Sequence, residues 1–165
     1  MASYHLEMAS ASVAAHSSDV IVDALNVAYW CGTPPDLRLP LALLGALLAR
    51  NPRVALYFDA SAPYQLREDD RQVYVELIAH PCVIQVPSGK RADGVMLKAA
   101  RDSGGRIVSR DRFRAERRRF RRIIDDPGRI LAGNVANDAL HIPGLDLSTP
   151  LPTSAREAWE RMRSR

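Results

Sequence analysis

Short apolar runs alternate with longer stretches of helical periodicity along this chain. Val20-Ile-Val-Asp-Ala24 is apolar on both of its alternating faces, which predicts a strand buried in a parallel sheet. The apolar run Leu39 to Ala49 contains Pro40 and is too short for a bilayer, and it predicts a core helix over Leu41 to Arg50. Arg53 to Asp59 reads as a second buried strand, and Pro63 opens a helix to about Ala79, since proline suits a first turn. Cys82 to Val86 is a third strand, closed by Pro87-Ser-Gly89. Ala92 to Ser103 is a helix stopped by Gly104-Gly105, and Arg106 to Ser109 is a fourth strand. Further on come short strands at Arg129 to Ala132 and Ala139 to Ile142, then a helix over Thr153 to Arg163 capped by Thr153 or Ser154.

This alternation predicts parallel βαβ units, hence a three-layer α/β/α fold with a mainly parallel central sheet of four to five strands. At 165 residues one domain suffices, with a flexible arm over 1–18, the folded domain over 19–150 and a C-terminal helix over 151–165 packed on it or extending it. The arm has neither the basic start nor the unbroken apolar stretch of a secretory signal. With 47% hydrophobic and 25% charged residues, the composition excludes wholesale disorder and points to no membrane partner. Cys31 and Cys82 are too few for a disulfide framework, so a reducing, cytoplasmic setting is expected.

Acids recur where these strands end. Asp23, Asp59 and Asp111 each close or follow a strand, and Asp93 stands in the first turn of the helix after the third. Ligand sites of open parallel sheets lie beyond the carboxyl ends of the strands, so these residues converge although far apart in sequence. Any one of them also has an ordinary role, capping a helix or complementing its dipole. Several carboxylates in one pocket repel one another unless a hard cation neutralises them, and oxygen ligands without His or Cys select Mg²⁺ or Mn²⁺. Such ions activate water and polarise phosphoryl groups, which makes phosphodiester hydrolysis the natural chemistry. Asn26, three residues after Asp23, is placed to orient that acid or the substrate, or simply to hold a turn.

Three segments carry a family resemblance. Val20-Ile-Val-Asp-Ala-Leu-Asn-Val-Ala28 resembles the opening "IDGxNVA" signature of the NYN and regnase-like branch of the PIN superfamily. Gly89-Lys-Arg-Ala-Asp-Gly-Val-Met-Leu97 is similar to its "KGxDxxL" segment, and Ile107-Val-Ser-Arg-Asp-Arg-Phe-Arg114 to its "IVSNDxYRD" segment. Order and spacing agree over about residues 19 to 147. The resemblance implies a PIN-type, Rossmann-like fold and Mg²⁺- or Mn²⁺-dependent cleavage of RNA. It makes Asp23, Asp93 and Asp111 catalytic, metal-holding acids, with Asn26 as a catalytic helper; Asp59 joins the metal set from its place at a strand end. Two positions depart from the pattern: Gly94 stands where a second Asp follows the one matched by Asp93, and Ala115 where a later acid is expected, with Glu116 adjacent.

Charge adds a partner. Of 23 basic residues only Lys90 and Lys98 are lysines, and the pI of about 9.4 points to a polyanion. Eight of the thirteen residues from Arg110 to Arg122 are arginine, and Phe113, Phe120, Ile123 and Ile124 recur at helical spacing, which predicts an amphipathic helix. Like charges this dense beside Asp111 suit an RNA track through Arg110, Arg112, Arg114 and Arg118, with Lys90 and Arg91 placed to hold a phosphate. Lys90 belongs to no Walker loop, and no G-x-G-x-x-G follows the first strand, so no nucleotide cofactor is expected. His5, His16, His80 and His141 lack ligand spacing, while Tyr29 and Trp30 either stack on a base or pack in the core. The rival readings are a PIN-fold RNA-binding module with a degraded site, a receiver-like domain and a structure-specific DNA nuclease; the chain acts alone or as a homodimer.

Overall fold

The structure, a computed structural model, describes residues 19–50 and 53–165, so the arm expected over 1–18 lies outside the described residues. Strands β1 (Val20–Asp23), β2 (Val54–Phe58), β3 (Val83–Gln85), β4 (Arg106–Val108) and β5 (Ile130–Leu131) form one sheet in the order β3-β2-β1-β4-β5. All its pairings are parallel. β1 is central, with β2 and β3 on one side and β4 and β5 on the other. This reversal of direction opens a crevice beyond the carboxyl ends of β1 and β4.

Helices cover both faces: α1 (Ala24–Ala28), α2 (Arg38–Ala49), α3 (Ala62–Gln65), α4 (Glu68–Leu77), α5 (Ala92–Ser103), α6 (Arg117–Ile124) and α7 (Ala155–Arg163). Alternation along β1 sends Val20 and Val22 into one apolar layer, with the leucines of α2, Val73 and Tyr74 of α4 and Trp159 of α7. Ile21, with Tyr57 and Ile107, enters the opposite layer against Met96, Leu97 and Ala100 of α5 and Phe120 and Ile123 of α6. The α/β/α expectation is met, with a sheet that is wholly parallel.

Three helices differ from the sequence reading. α2 begins at Arg38, because Pro40 falls in the first turn, where its missing N–H leaves no hydrogen bond unmade. The stretch expected as one helix from Pro63 to Ala79 is two, broken at Leu66, which takes an extended conformation and buries its side chain; Glu68, Asp69 and Asp70 then favour a new helix start. The arginine-rich segment becomes α-helical only at Arg117, after a single 3₁₀ turn over Arg114–Glu116. Before it, the Asp111 carboxylate accepts a 2.8 Å bond from the Phe113 N–H, and Phe113 adopts φ +50° to bury its ring. Phe120, Ile123 and Phe113 are nevertheless buried, while Ile124 is half-buried.

The third strand is shorter than expected and its Ile84 and Gln85 are exposed, as befits an edge. The segment at Ala139 to Ile142 is a strand outside the main sheet: β6 (Asn134–Ala136), β7 (Ala139–Ile142) and β8 (Leu147–Pro150) form a separate antiparallel sheet. Its first hairpin turns on Asn137 and Asp138, both at positive φ, a combination that suits the twist of a two-residue loop. Ser154, rather than Thr153, caps α7 by accepting from the Glu157 N–H at 3.0 Å, while Thr153 donates to the Glu157 carboxylate. No helix among the described residues is long and apolar enough to cross a membrane.

Candidate active site

The alternation that buries Ile21 also turns Asp23, two residues on, toward the α5 side of the sheet. Ile107 of β4 lies level with Ile21, so Ser109 arrives level with Asp23 on the same side. The Ser109 hydroxyl donates to Asp23 Oδ2 at 2.8 Å and accepts from the Asp111 N–H at 3.0 Å. One side chain thus fixes the spacing of two acids. The third acid, Asp93, lies one turn before Leu97 on the face of α5 that packs against the sheet. Asp23, Asp93 and Asp111 each bring a carboxylate oxygen within 4.8 Å of the other two.

Three anions this close are costly without a counter-ion. Burial, more than any charge, raises the Asp23 carboxyl from its ordinary 3.8 to about 7; Asp93 and Asp111 push the same way and the Ser109 bond opposes them. Asp93 is raised too, by burial first and then by the charge of Asp111. An all-oxygen donor set, two of whose members resist ionising in the absence of a cation, fits a small hard ion such as Mg²⁺ or Mn²⁺, with Asp23, Asp93 and Asp111 to hold it.

The family model for the Zc3h12a-like ribonuclease NYN domain matches residues 16–144. The chain belongs to that family. Its place there makes it a metal-dependent ribonuclease domain, a hydrolase of phosphodiester bonds. Among solved structures, nuclear proteinaceous RNase P 2 (PRORP2) from A. thaliana superposes with a TM-score of 0.61 at 14% identity, over 90% of this chain and 34% of that one. A second structure, of Arabidopsis thaliana nuclear protein-only RNase P 2, gives 0.59 at 16% identity over 90% and 33%. This NYN domain therefore spans about a third of those chains, and the likeness is one of fold. Curated proteins gave no match by sequence.

Around the acids of this NYN domain, Asn26 acts as a clamp. Its Oδ1 accepts from the Trp30 indole N–H and from the backbone N–H of Arg110, both at 3.0 Å, tying α1 to the turn that carries Asp111. Two N–H donors on one oxygen also settle which way the amide points. The Trp30 ring is half-buried and covered by the Arg110 guanidinium, 4.6 Å from its centre, so that aromatic face is already taken. Asp59 is not one of the three clustered acids. Its Oδ1 accepts from the Ser61 N–H at 2.9 Å, although its charge still reaches Asp93.

The two departures from the family pattern have a structural counterpart. With no side chain at Gly94, the Glu116 carboxylate comes to the first turn of α5, its Oε2 3.7 Å from where a Cβ on residue 94 would stand. The Arg91 guanidinium is 3.9 Å from both Asp93 and Glu116. Arg91, Arg110, Arg112 and Arg114 line an open concavity of about 430 Å³ together with Asp93 and Asp111. Arg118 is exposed on α6, away from that lining, and Lys90 lines a second concavity with Asp59 and Tyr64. Sequence reasoning missed Ser109 and Tyr64; a serine ending a strand and a tyrosine in a short helix carry no signal of their own.

Proposed function

We propose that this domain is an endoribonuclease that cuts single-stranded RNA with Mg²⁺ or Mn²⁺ held by Asp23, Asp93 and Asp111. The observation that carries this is the convergence of three carboxylates at the sheet's switch point, two of which, Asp93 and Asp111, line a concavity together with four arginines. When bound, the cation activates the attacking water and neutralises charge on the phosphate. Asn26 and Ser109 set the positions of the acids. Arg91, Arg110, Arg112 and Arg114 hold phosphates beside the scissile bond, with Lys90 and Arg118 further along the strand. The concavity is open to solvent rather than enclosed, which suits entry by the middle of a strand. The two unpaired cysteines, Cys31 and Cys82, support a cytoplasmic setting.

The test incubates the protein with single-stranded RNA and matched DNA, labelled at either end, in Mg²⁺, Mn²⁺ or EDTA. Internal RNA fragments from both labels, in metal only, are expected. Mononucleotides released from one end would overturn the endonuclease reading, equal cutting of DNA would overturn the RNA preference, and tight binding without cleavage would make the domain an RNA-binding module.

A further inference from the structure

At the carboxyl ends of β2 and β3, across β1 from Arg110, Arg112 and Arg114, residues Asp59, Ser61, Tyr64, Ser88 and Lys90 line a concavity of about 310 Å³. Tyr64 is 83% exposed, more than any other large hydrophobic residue described. Single exposed aromatics are ordinary on protein surfaces. This one lines the same concavity as one of only two lysines in the chain, and the segment behind it is hydrogen-bonded in place. The neighbouring Gln65 donates to the Ser61 hydroxyl at 2.6 Å and accepts from the Tyr29 hydroxyl, while the Ser61 N–H is held by Asp59 at 2.9 Å. The short helix that carries the ring is therefore tied to the end of β2. Lys90 projects from a tight turn closed by its own N–H on the Pro87 carbonyl at 3.2 Å, with Gly89 at φ +87°.

We propose that this concavity is a nucleotide subsite, which seats an unstacked base of single-stranded RNA on the Tyr64 ring and its phosphate on Lys90. The proposal rests on the ribonuclease reading above, and extends the RNA path across the acids to the β2–β3 side. A positively charged groove with an aromatic face is how single strands are held without sequence readout, because every base offers a π-face. In the sheet order this pair follows β2 and β3, Arg110, Arg112 and Arg114 follow β4, and Asp23 ends β1 between them. A strand gripped at both ends would thus present the phosphate between them to Asp23, Asp93 and Asp111.

The experiment measures fluorescence anisotropy of a short labelled oligouridylate in EDTA over a salt series, for the parent, Tyr64→Phe, Tyr64→Ala and Lys90→Ala. Both side chains are exposed, so the variants keep the fold, and thermal melts verify it. Tyr64→Ala should bind about tenfold more weakly and Tyr64→Phe close to the parent, since stacking needs the ring and not the hydroxyl. Lys90→Ala should flatten the log–log salt slope by about one unit or slightly less. An abasic nucleotide moved along the strand should weaken the parent at one position and leave Tyr64→Ala unaffected there. Parental binding by Tyr64→Ala, or equal losses in Phe and Ala, overturns the subsite; if the parent still cleaves RNA in Mn²⁺, the ribonuclease reading survives that failure. A parent that neither binds nor cuts sinks both.

Discussion

The Ser109 hydroxyl donates to Asp23 at 2.8 Å while accepting from the backbone of Asp111 at 3.0 Å, so one small side chain sets the distance between two of the three clustered acids. It also opposes the effect of burial on Asp23. Ser109→Ala should lower stability by about 1 kcal/mol and push the Asp23 carboxyl further up. A cation must then displace a more tightly held proton. Calorimetric titration with Mn²⁺ should show weaker binding than the parent, with the deficit larger at pH 6.5 than at pH 8.5; equal affinities at both pH values would remove Ser109 from the site.

The raised Asp23 gives the metal-free fold a distinct pH dependence. Its folded value of about 7 exceeds the ordinary 3.8, so between those values the native protein keeps a proton that the unfolded chain has lost. Stability from this group is therefore present at low pH and lost as pH rises through about 7, by roughly 4 kcal/mol at most. Asp93 adds to the same sign. In EDTA, the melting temperature of the parent should fall relative to Asp23→Asn as pH is raised from 5 to 8. Saturating Mn²⁺ should reverse the trend, because the cation binds the ionised form.

Glu116 reaches the first turn of α5 across the space left by Gly94. Its charge falls beside Asp93, so Glu116→Gln should weaken Mn²⁺ binding several-fold. An aspartate at 94 would bring a carboxylate to the same place from α5. Gly94→Asp introduced into Glu116→Ala should thus recover part of the Mn²⁺ affinity, read by calorimetry. No recovery would make Glu116 a partner of Arg91 alone.

The main elements and the clustered acids were legible because they rest on strong local signals. β1 is an apolar run that ends in an acid, β4 places Ile107 and Val108 shortly before one, and α5 carries its apolar stripe between Arg91 and Gly104. What escaped depends on contacts remote in sequence. The break at Leu66 comes from burying one side chain, and the non-helical start of the arginine segment from a bond between Asp111 and the Phe113 N–H, both invisible to periodicity. The Asn137-Asp138 turn was a readable hairpin signal and β7 after it alternates, but β6 before it is three residues long with no buried side chain. Ser109 gains meaning only through the β1–β4 register.

Arg112 and Arg114 line the same concavity as Asp93 and Asp111 and, among the described residues, have no carboxylate within ion-pairing distance. Changing both to Ala should weaken RNA binding and reduce the log–log salt slope by up to about two units, with the melting temperature little changed. An unchanged slope would take the pair off the RNA path.

The central claim is that Asp23, Asp93 and Asp111 act as one cation site. Its most direct test is a cleavage time course on labelled single-stranded RNA in Mn²⁺ for Asp→Asn at each position, with melts to show that each variant is folded. The amide keeps the shape but loses the charge, so each substitution should lower the rate by at least about a hundredfold, and the metal-free melting temperature should hold or rise. Near-parental cutting by folded Asp23→Asn or Asp111→Asn would contradict the account.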